Sequence, residues 1–231
     1  MNMVLKVSMW SQLIRRASVW MILALAVPAT AGAQGWAVEV GPSYDIQHGT
    51  FVAPCTCTFG FGSGVGWIGA MSFDVVSFGG FSIGGRIGMD MQQFTSKELT
   101  EDALAQIANG DREKITLTYL SLEPYLRYHF PGFGLFVQVA PGWEYLVSST
   151  FQHVPGAEST EAPVAAPDAP IDVTKTRIDA KLSAGYSIPF LGMALEPTVS
   201  TALPLTDLGS LQSTNWHIAT YYVTLAIRFG L

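Results

Sequence analysis

The side chains best suited to acid–base or nucleophilic chemistry are scattered along this sequence. The histidines fall in predicted loops or at the ends of predicted strands, at His48, His129, His153 and His217. A hydrolytic site needs a nucleophile, a base and an orienting acid within mutual hydrogen-bond reach. No such set comes from neighbouring predicted strands at one depth, so we predict that the protein is not an enzyme. An enzyme with its site at the rim of the fold is the alternative that this pattern leaves open.

Two short motifs suggest a metal or a nucleotide, but neither meets the requirements of such a site. Cys55 and Cys57 lie in a predicted loop, and two thiols with His48 as the nearest further ligand are too few for a metal. An oxidised pair, strained at this spacing, or a bond to another chain is the alternative role of these thiols. Residues 64–69 match the dinucleotide fingerprint, but a strand pattern continues where a helix would have to begin. We therefore predict no metal and no cofactor.

A period-two alternation of apolar with small or polar residues runs through residues 34–231. In the first stretch, Trp36, Val38 and Val40 alternate with small or polar residues. Strict alternation places the two sets on opposite faces of a β-strand. The pattern predicts eight strands, at residues 36–45, 60–74, 81–94, 115–130, 133–149, 175–188, 193–203 and 216–231.

The connections between the predicted strands are alternately long and short. Three are short turns, and the other four, residues 46–59, 95–114, 150–174 and 204–215, are long. This layout is typical of outer-membrane barrels. The predicted fold is an all-β, eight-stranded antiparallel up-and-down transmembrane β-barrel with four long extracellular loops and three short periplasmic turns. Within the second long connection, a capping-box pattern from Thr95 to Glu98 predicts a short helix.

Charged residues avoid one face of the predicted strands. Of the 27 charged residues after position 33, eleven fall on the small or polar face and sixteen in loops, turns or strand ends, leaving none on the apolar face. A charge that faces lipid at the bilayer midplane costs about 2–4 kcal/mol, and a soluble ligand-binding barrel would show the opposite arrangement. We therefore predict that the apolar face contacts outer-membrane lipid and that the eleven form an interior polar network. These eleven are Glu39, Arg86, Asp90, Glu123, Arg127, Glu144, Arg177, Asp179, Lys181, Glu196 and Arg228.

The charges of this predicted interior must neutralise one another. The interior of an eight-stranded barrel is just wide enough for its own side chains to fill it, and buried charges are tolerated when they are paired. Residues at similar depth on neighbouring strands give the candidate pairs Glu39 with Arg228, Arg86 with Glu123, and Glu144 with Arg177 or Lys181. We predict a lumen plugged by salt bridges, with a charged conduit as the alternative.

Composition and the first residues indicate a protein of the cell envelope. Of the 231 residues 13% are charged and 49% hydrophobic, with a net charge of −6. About a quarter of a soluble domain is charged, and nucleic-acid-binding proteins carry basic surfaces, so we expect no nucleic-acid partner. Arg15 and Arg16 precede an apolar run and small residues ending at Ala33. This pattern predicts a cleaved signal peptide over residues 1–33 and a barrel domain over residues 34–231.

Three stretches resemble a known family. They are Cys55–Cys57 followed by the glycine-rich residues 62–66, the stretch Tyr119–Tyr128, and the ending Val223–Leu231. Together they are similar to the PorT-like outer-membrane β-barrel proteins of Bacteroidota and relatives, which are small barrels of the OmpA-like kind. The resemblance implies an eight-stranded barrel in the outer membrane. Some members are linked to a secretion machinery, and the resemblance assigns no functional residue.

The sequence thus predicts a small integral outer-membrane barrel of a Gram-negative-type bacterium. We expect a structural role, or an interaction role in which the loops bind other envelope proteins. A component of a secretion or assembly complex is one alternative. A soluble periplasmic ligand-binding barrel is another.

Overall fold

The computed structural model describes residues 35–52, 58–99, 107–154, 164–167, 173–208 and 216–230. Cys55, Cys57 and the predicted signal peptide lie outside the described residues. Among the described residues no helix is both long enough and apolar enough to span a bilayer. The strands are β1 Gly35–His48, β2 Thr50–Val52, β3 Thr58–Phe78, β4 Phe81–Leu99, β5 Ile107–His129, β6 Leu135–Val154, β7 Val164–Pro167, β8 Thr176–Tyr186, β9 Ile188–Phe190, β10 Met193–Pro204 and β11 His217–Phe229.

Eight of these strands close into an antiparallel barrel. Each of β1, β3, β4, β5, β6, β8, β10 and β11 pairs with its neighbour along the chain, and β11 pairs with β1. At the closure, Val38 lies opposite Ile227 of β11 on one side and Met71 of β3 on the other. Three short strands pair alongside the barrel strands: β2 with β3, β7 with β6 and β9 with β10. The predicted eight-stranded up-and-down architecture is confirmed.

The turn between β3 and β4 illustrates the short-turn end of the barrel. Phe78 pairs with Phe81, so the connection consists of Gly79 and Gly80, whose φ angles are 56° and 87°. Positive φ at both central residues of a two-residue hairpin matches the twist of the flanking strands, and glycine adopts it without steric cost. The chain therefore reverses here with no additional residues.

The strands extend further than predicted at the opposite, long-loop end. The strands β3 to β6 there form a raised wall, which reaches Leu99 on β4 and Val154 on β6. The predicted capping box and helix start at Thr95–Glu98 are wrong, because Thr95 pairs with Lys114 and Lys97 with Arg112 in the β4–β5 ladder. Pairing with β5 satisfies the backbone groups of this segment along its length, which a capping box would do at one helix end alone. Residues 100–106, which hold most of the predicted helix, lie outside the described residues.

The outer face of the barrel is a continuous belt of apolar side chains. Val40, Leu122, Val199 and Val223 all point outward and are exposed. Aromatic residues lie towards both edges of the belt, which include Phe81, Tyr128 and Phe133 at the short-turn end and Trp67, Trp143, Tyr145 and Tyr221 at the long-loop end. Within this belt, no charged side chain that the structure describes points outward.

Candidate functional site

All eleven residues of the predicted interior network point into the barrel. Ten of them are buried, and the Glu39 side chain is 15% exposed. They come from seven strands, and because the chain alternates in and out along each strand, each side chain reaches the lumen at its own depth. The contacts divide them into two groups, which we call the lower network, near the short turns, and the upper network, towards the long loops.

One half of the lower network is built around Arg86. Its Nε lies 2.9 Å from Glu39 Oε2 of β1, and its Nη1 lies 2.6 Å from Glu123 Oε1 of β5. Lys181 Nζ of β8 lies 3.6 Å from the other oxygen of Glu123 and 4.3 Å from the ring centre of Tyr222. The arginine and the lysine together tie four strands across the lumen.

The other half of the lower network is built around Glu196 of β10. Its two oxygens accept hydrogen bonds from Arg127 Nη1 at 3.0 Å and from Arg228 Nε at 2.8 Å. Arg228 Nη1 also lies 2.6 Å from Asp74 Oδ2, and Tyr125 donates its hydroxyl to the second oxygen of Asp74 at 2.7 Å. The lower network therefore contains four basic and four acidic side chains, each of which forms an ion pair within its own half.

The upper network is centred on Arg177 of β8. Its Nη2 lies 2.6 Å from Glu144 Oε2 and 2.9 Å from Asp179 Oδ2, while its Nη1 donates to Gln92 Oε1 at 2.9 Å. The guanidinium also lies 4.5 Å from the ring centre of Tyr119. Such a planar group can satisfy several acceptors and stack on an aromatic ring at once.

Two further carboxylates complete the upper network. Asp90 Oδ2 accepts hydrogen bonds from the Tyr222 hydroxyl at 2.7 Å and from Gln92 Nε2 at 3.0 Å. Asp45 Oδ2 accepts one from the backbone N–H of Gln93 at 2.9 Å. The upper network thus places one arginine, Arg177, among four buried acids.

The ion pairs differ in part from those predicted. The structure brings together Arg86 with Glu123 and Glu144 with Arg177, but it pairs Lys181 with Glu123 and not with Glu144. The predicted pair of Glu39 with Arg228 is wrong, since Glu39 contacts Arg86, whereas Arg228 contacts Asp74 and Glu196. Depth counted along the chain ignores the stagger of tilted strands, which shifts each residue relative to its neighbours.

Two acidic residues of these networks were missed by the sequence prediction. Asp45 and Asp74 were assigned to strand ends, yet both are buried in the lumen. A signal was available, because Asp74 is in phase with the inward Ser72 and Asp45 with the inward Ser43.

Above the upper network, a cluster of buried apolar side chains packs inside the barrel at the long-loop end. We call it the apolar cap. The alternation predicts apolar side chains on the lipid face alone, and this prediction is wrong for the inward cluster. Bulges in β3 and β6 shift the alternation of these strands and turn Phe59 and Phe151 inward. The members are each at most 1% exposed and comprise Phe59, Phe94, Ile115, Leu117, Tyr119, Phe151, Leu208, Trp216 and Ile218.

A cavity of about 20 Å³ lies in the lower network, lined in part by Glu39, Arg86 and Lys181. A cavity of this size holds about one water molecule. The side chains around this cavity include members of the ion pairs described above.

The described residues offer few other groups for chemistry. No cluster of three or more metal-ligating side chains occurs among them. His48 and His217 are register partners at the long-loop end, and His217 Nε2 lies 2.9 Å from Asp207 Oδ1 at the surface. His129 lies at the short-turn end, so the structure does not bring the histidines together at one site.

The comparisons with known proteins find similar solved structures but no family and no curated relative. No protein-family model and no curated protein matches the chain, so the PorT-like resemblance is not confirmed. Neisserial surface protein A is 9% identical, with 85% of this chain and 97% of that chain covered and a TM-score of 0.41. Ail of Yersinia pestis is 8% identical, with 84% of this chain and 98% of that chain covered and a TM-score of 0.40. The translocator domain of autotransporter NalP from Neisseria meningitidis is 9% identical, with 94% of this chain and 97% of that chain covered and a TM-score of 0.30. Because these TM-scores are low, the description of the barrel depends on the strand pairing given above.

Proposed function

We propose that this protein is an integral outer-membrane β-barrel protein without enzymatic activity, whose lumen is plugged and whose role is structural or loop-mediated. The supporting observation is the separation of its charges. Networks of ion-paired side chains fill the lumen, while the described part of the outer belt carries no charge. Water favours the opposite arrangement on a soluble barrel.

The dimensions of the belt support contact with lipid. On β6 every outward side chain from Leu135 to Val147 is apolar, including Pro141. Twelve residue steps of about 3.3 Å on a strand tilted by about 40° correspond to a height of about 30 Å, close to the thickness of a hydrocarbon core. An apolar surface of this extent in water would be an aggregation liability.

The raised wall supports a role for the long-loop end. Its outward positions beyond the belt are mostly polar, including Gln93, Thr95, Thr116 and Thr150, with the exposed Phe61 of β3 as an apolar exception. This part of the barrel would stand clear of the hydrocarbon and offer a surface, with the long loops, to other envelope proteins.

We expect the protein to float with phospholipid vesicles and to migrate faster on a gel before boiling than after it. Closed membrane barrels resist detergent without heat, since every strand is paired and no edge is open to unzip. Sucrose-gradient flotation of the refolded chain, with gel migration before and after boiling, is the measurement. A chain that stays in the aqueous fraction with one mobility would contradict the proposal.

Placing a charge in the belt should weaken folding in lipid. Leu225 of β11 lies between Val40 and Pro197, and its side chain points outward. We expect Leu225→Arg to lower the free energy of unfolding in vesicles by about 2–4 kcal/mol, the cost of a cation near the midplane. The matched control is Ser148→Arg, on the exposed outer face of the raised wall, with an expected change within about 0.5 kcal/mol. Equal effects of the two variants would argue against a lipid-facing belt.

The plugged lumen predicts an electrically silent barrel. The ion pairs and the apolar cap lie in the lumen at two depths, and on this proposal they leave no continuous water column between its ends. Recordings from planar bilayers containing the purified protein should show no steady, well-defined conductance. Reproducible unitary steps would show that the lumen conducts and would support the charged conduit instead.

A further inference from the structure

Three basic side chains stand together on the outer face of the raised wall. Lys97 of β4 lies directly opposite Arg112 of β5, and Lys114 lies one inward–outward repeat further along β5, opposite Thr95. We call Lys97, Arg112 and Lys114 the basic ladder. Like charges directly opposite each other in a sheet are destabilising, so an anionic partner outside the chain would relieve this repulsion.

The described surroundings of the basic ladder offer no compensating charge. Its outward neighbours on β3 and β6, Ser63, Thr150 and Gln152, are uncharged. Glu113, which separates Arg112 and Lys114 in sequence, is buried on the inner face. Of the ion pairs between described side chains, all but that of His217 with Asp207 lie in the lumen, and none includes a ladder residue.

The height of the basic ladder limits what it can meet. Lys97 lies six residues beyond Met91, the last apolar outward side chain of β4. On β5, Lys114 and Arg112 lie six and eight residues beyond Leu120. At about 2.5 Å of height per residue on a tilted strand, the ladder stands about 15–20 Å above these two side chains and about 10–15 Å above Val147, where the belt ends on β6. A phospholipid headgroup region extends about 5–8 Å beyond the hydrocarbon, which is too short to reach it.

We infer that the basic ladder binds the phosphorylated oligosaccharide headgroup of a glycolipid in the outer leaflet, an inference that rests on the proposed membrane function. Such a headgroup carries phosphates on sugars well above the hydrocarbon. Lysine and arginine bind phosphate oxygens through charge-assisted hydrogen bonds, and each basic group near an anionic membrane surface adds about a factor of five to affinity. The apolar belt below would hold the acyl chains of the same lipid.

The test uses the refolded barrel in neutral detergent, with rough lipopolysaccharide that retains a phosphorylated core oligosaccharide as the probe. Native mass spectrometry measures the fraction of protein that retains the lipid, and hence an apparent Kd. We expect the triple variant K97Q/R112Q/K114Q to bind at least tenfold more weakly in about 50 mM salt, with the difference shrinking at high salt because exposed charges are screened. The matched control T95Q/T116Q/T118Q changes three uncharged outward positions of the same wall and should bind like the wild type.

Two further measurements, phosphatidylglycerol binding and vesicle flotation, show which lipid supplies the bound phosphate and whether the proposed membrane function holds. Phosphatidylglycerol should bind the wild type and the K97Q/R112Q/K114Q variant equally, since its headgroup is too short for the ladder. Equal lipopolysaccharide binding by both proteins, or an equal loss of phosphatidylglycerol binding in the variant, would overturn the inference. If the wild-type chain floats with vesicles, these binding results would overturn the inference about the basic ladder and leave the proposed membrane function intact. If the wild-type chain does not float, the proposed function is overturned as well.

Discussion

Replacing Arg177 by methionine should lower the free energy of unfolding in vesicles by about 3–5 kcal/mol, the range seen when one partner of a buried ion pair is removed. The Arg177 guanidinium contacts Glu144 and Asp179 and donates to Gln92. Without it, two carboxylates that are 4% and 2% exposed would lose their cation. Urea titration followed by gel mobility measures the change, because folded and unfolded barrels migrate differently.

The controls for this variant separate charge from packing. Lys175→Met removes an exposed cation two positions earlier in the chain, and its expected effect is within about 0.5 kcal/mol. Adding Glu144→Gln and Asp179→Asn to Arg177→Met should restore much of the loss, since the neutral amides need no cation. A loss below about 1 kcal/mol for Arg177→Met would show that the arginine does not neutralise the upper network.

The distribution of charge explains why Arg177 should matter more than the other buried cations. In the lower network, Glu196 is shared by Arg127 and Arg228, and Glu123 by Arg86 and Lys181. Loss of one cation there leaves another on Glu196 or Glu123, so that at most one acid, Glu39 or Asp74, loses its ion pair, whereas loss of Arg177 removes the ion pair of two acids. In the upper network, Arg177 has no such substitute among the described basic side chains.

The barrel could be predicted from the sequence because lipid enforces alternation along each strand. Between the belt edges the outward residues are nearly all apolar, so the pattern on β11, with Tyr221, Val223 and Leu225 outward, is read without ambiguity. Beyond the belt the outer face is mostly polar, and on β4 the contrast between Thr95 outside and Ser96 inside disappears. The strand ends were therefore misassigned at the long-loop end, where the helix was predicted.

The interior could be predicted as a set of residues but not as a set of pairs. Alternation assigns Glu39 and Arg228 to the inner face, but their partners depend on the stagger between strands and on long side chains that cross the lumen. The contact of Arg228 with Asp74 joins residues 154 positions apart. The apolar cap depends in addition on two bulges, which reverse the face of Phe59 and Phe151 without an obvious mark in the sequence.

Phe94→Ala should be as damaging as the loss of Arg177, by about 3–5 kcal/mol, although no charge is involved. Phe94 is 1% exposed and lies in the apolar cap, where surrounding strands are held by ladder hydrogen bonds and cannot collapse into the space left by the ring. Phe94→Leu keeps most of the volume and should cost less than about 1.5 kcal/mol.

The neighbouring variant Gln93→Ala shows whether the effect belongs to the inner face. Gln93 lies next to Phe94 but points outward, and its contact with Asp45 is made by its backbone N–H, which alanine retains. We expect a change within about 0.5 kcal/mol in the same urea titration. If Phe94→Ala and Gln93→Ala lose equally little, the long-loop end is not a packed core. A large loss for Phe94→Ala alone would mean that this outer-membrane barrel is stabilised at two depths by different physics, with ion pairs in its middle and hydrophobic packing at its upper end.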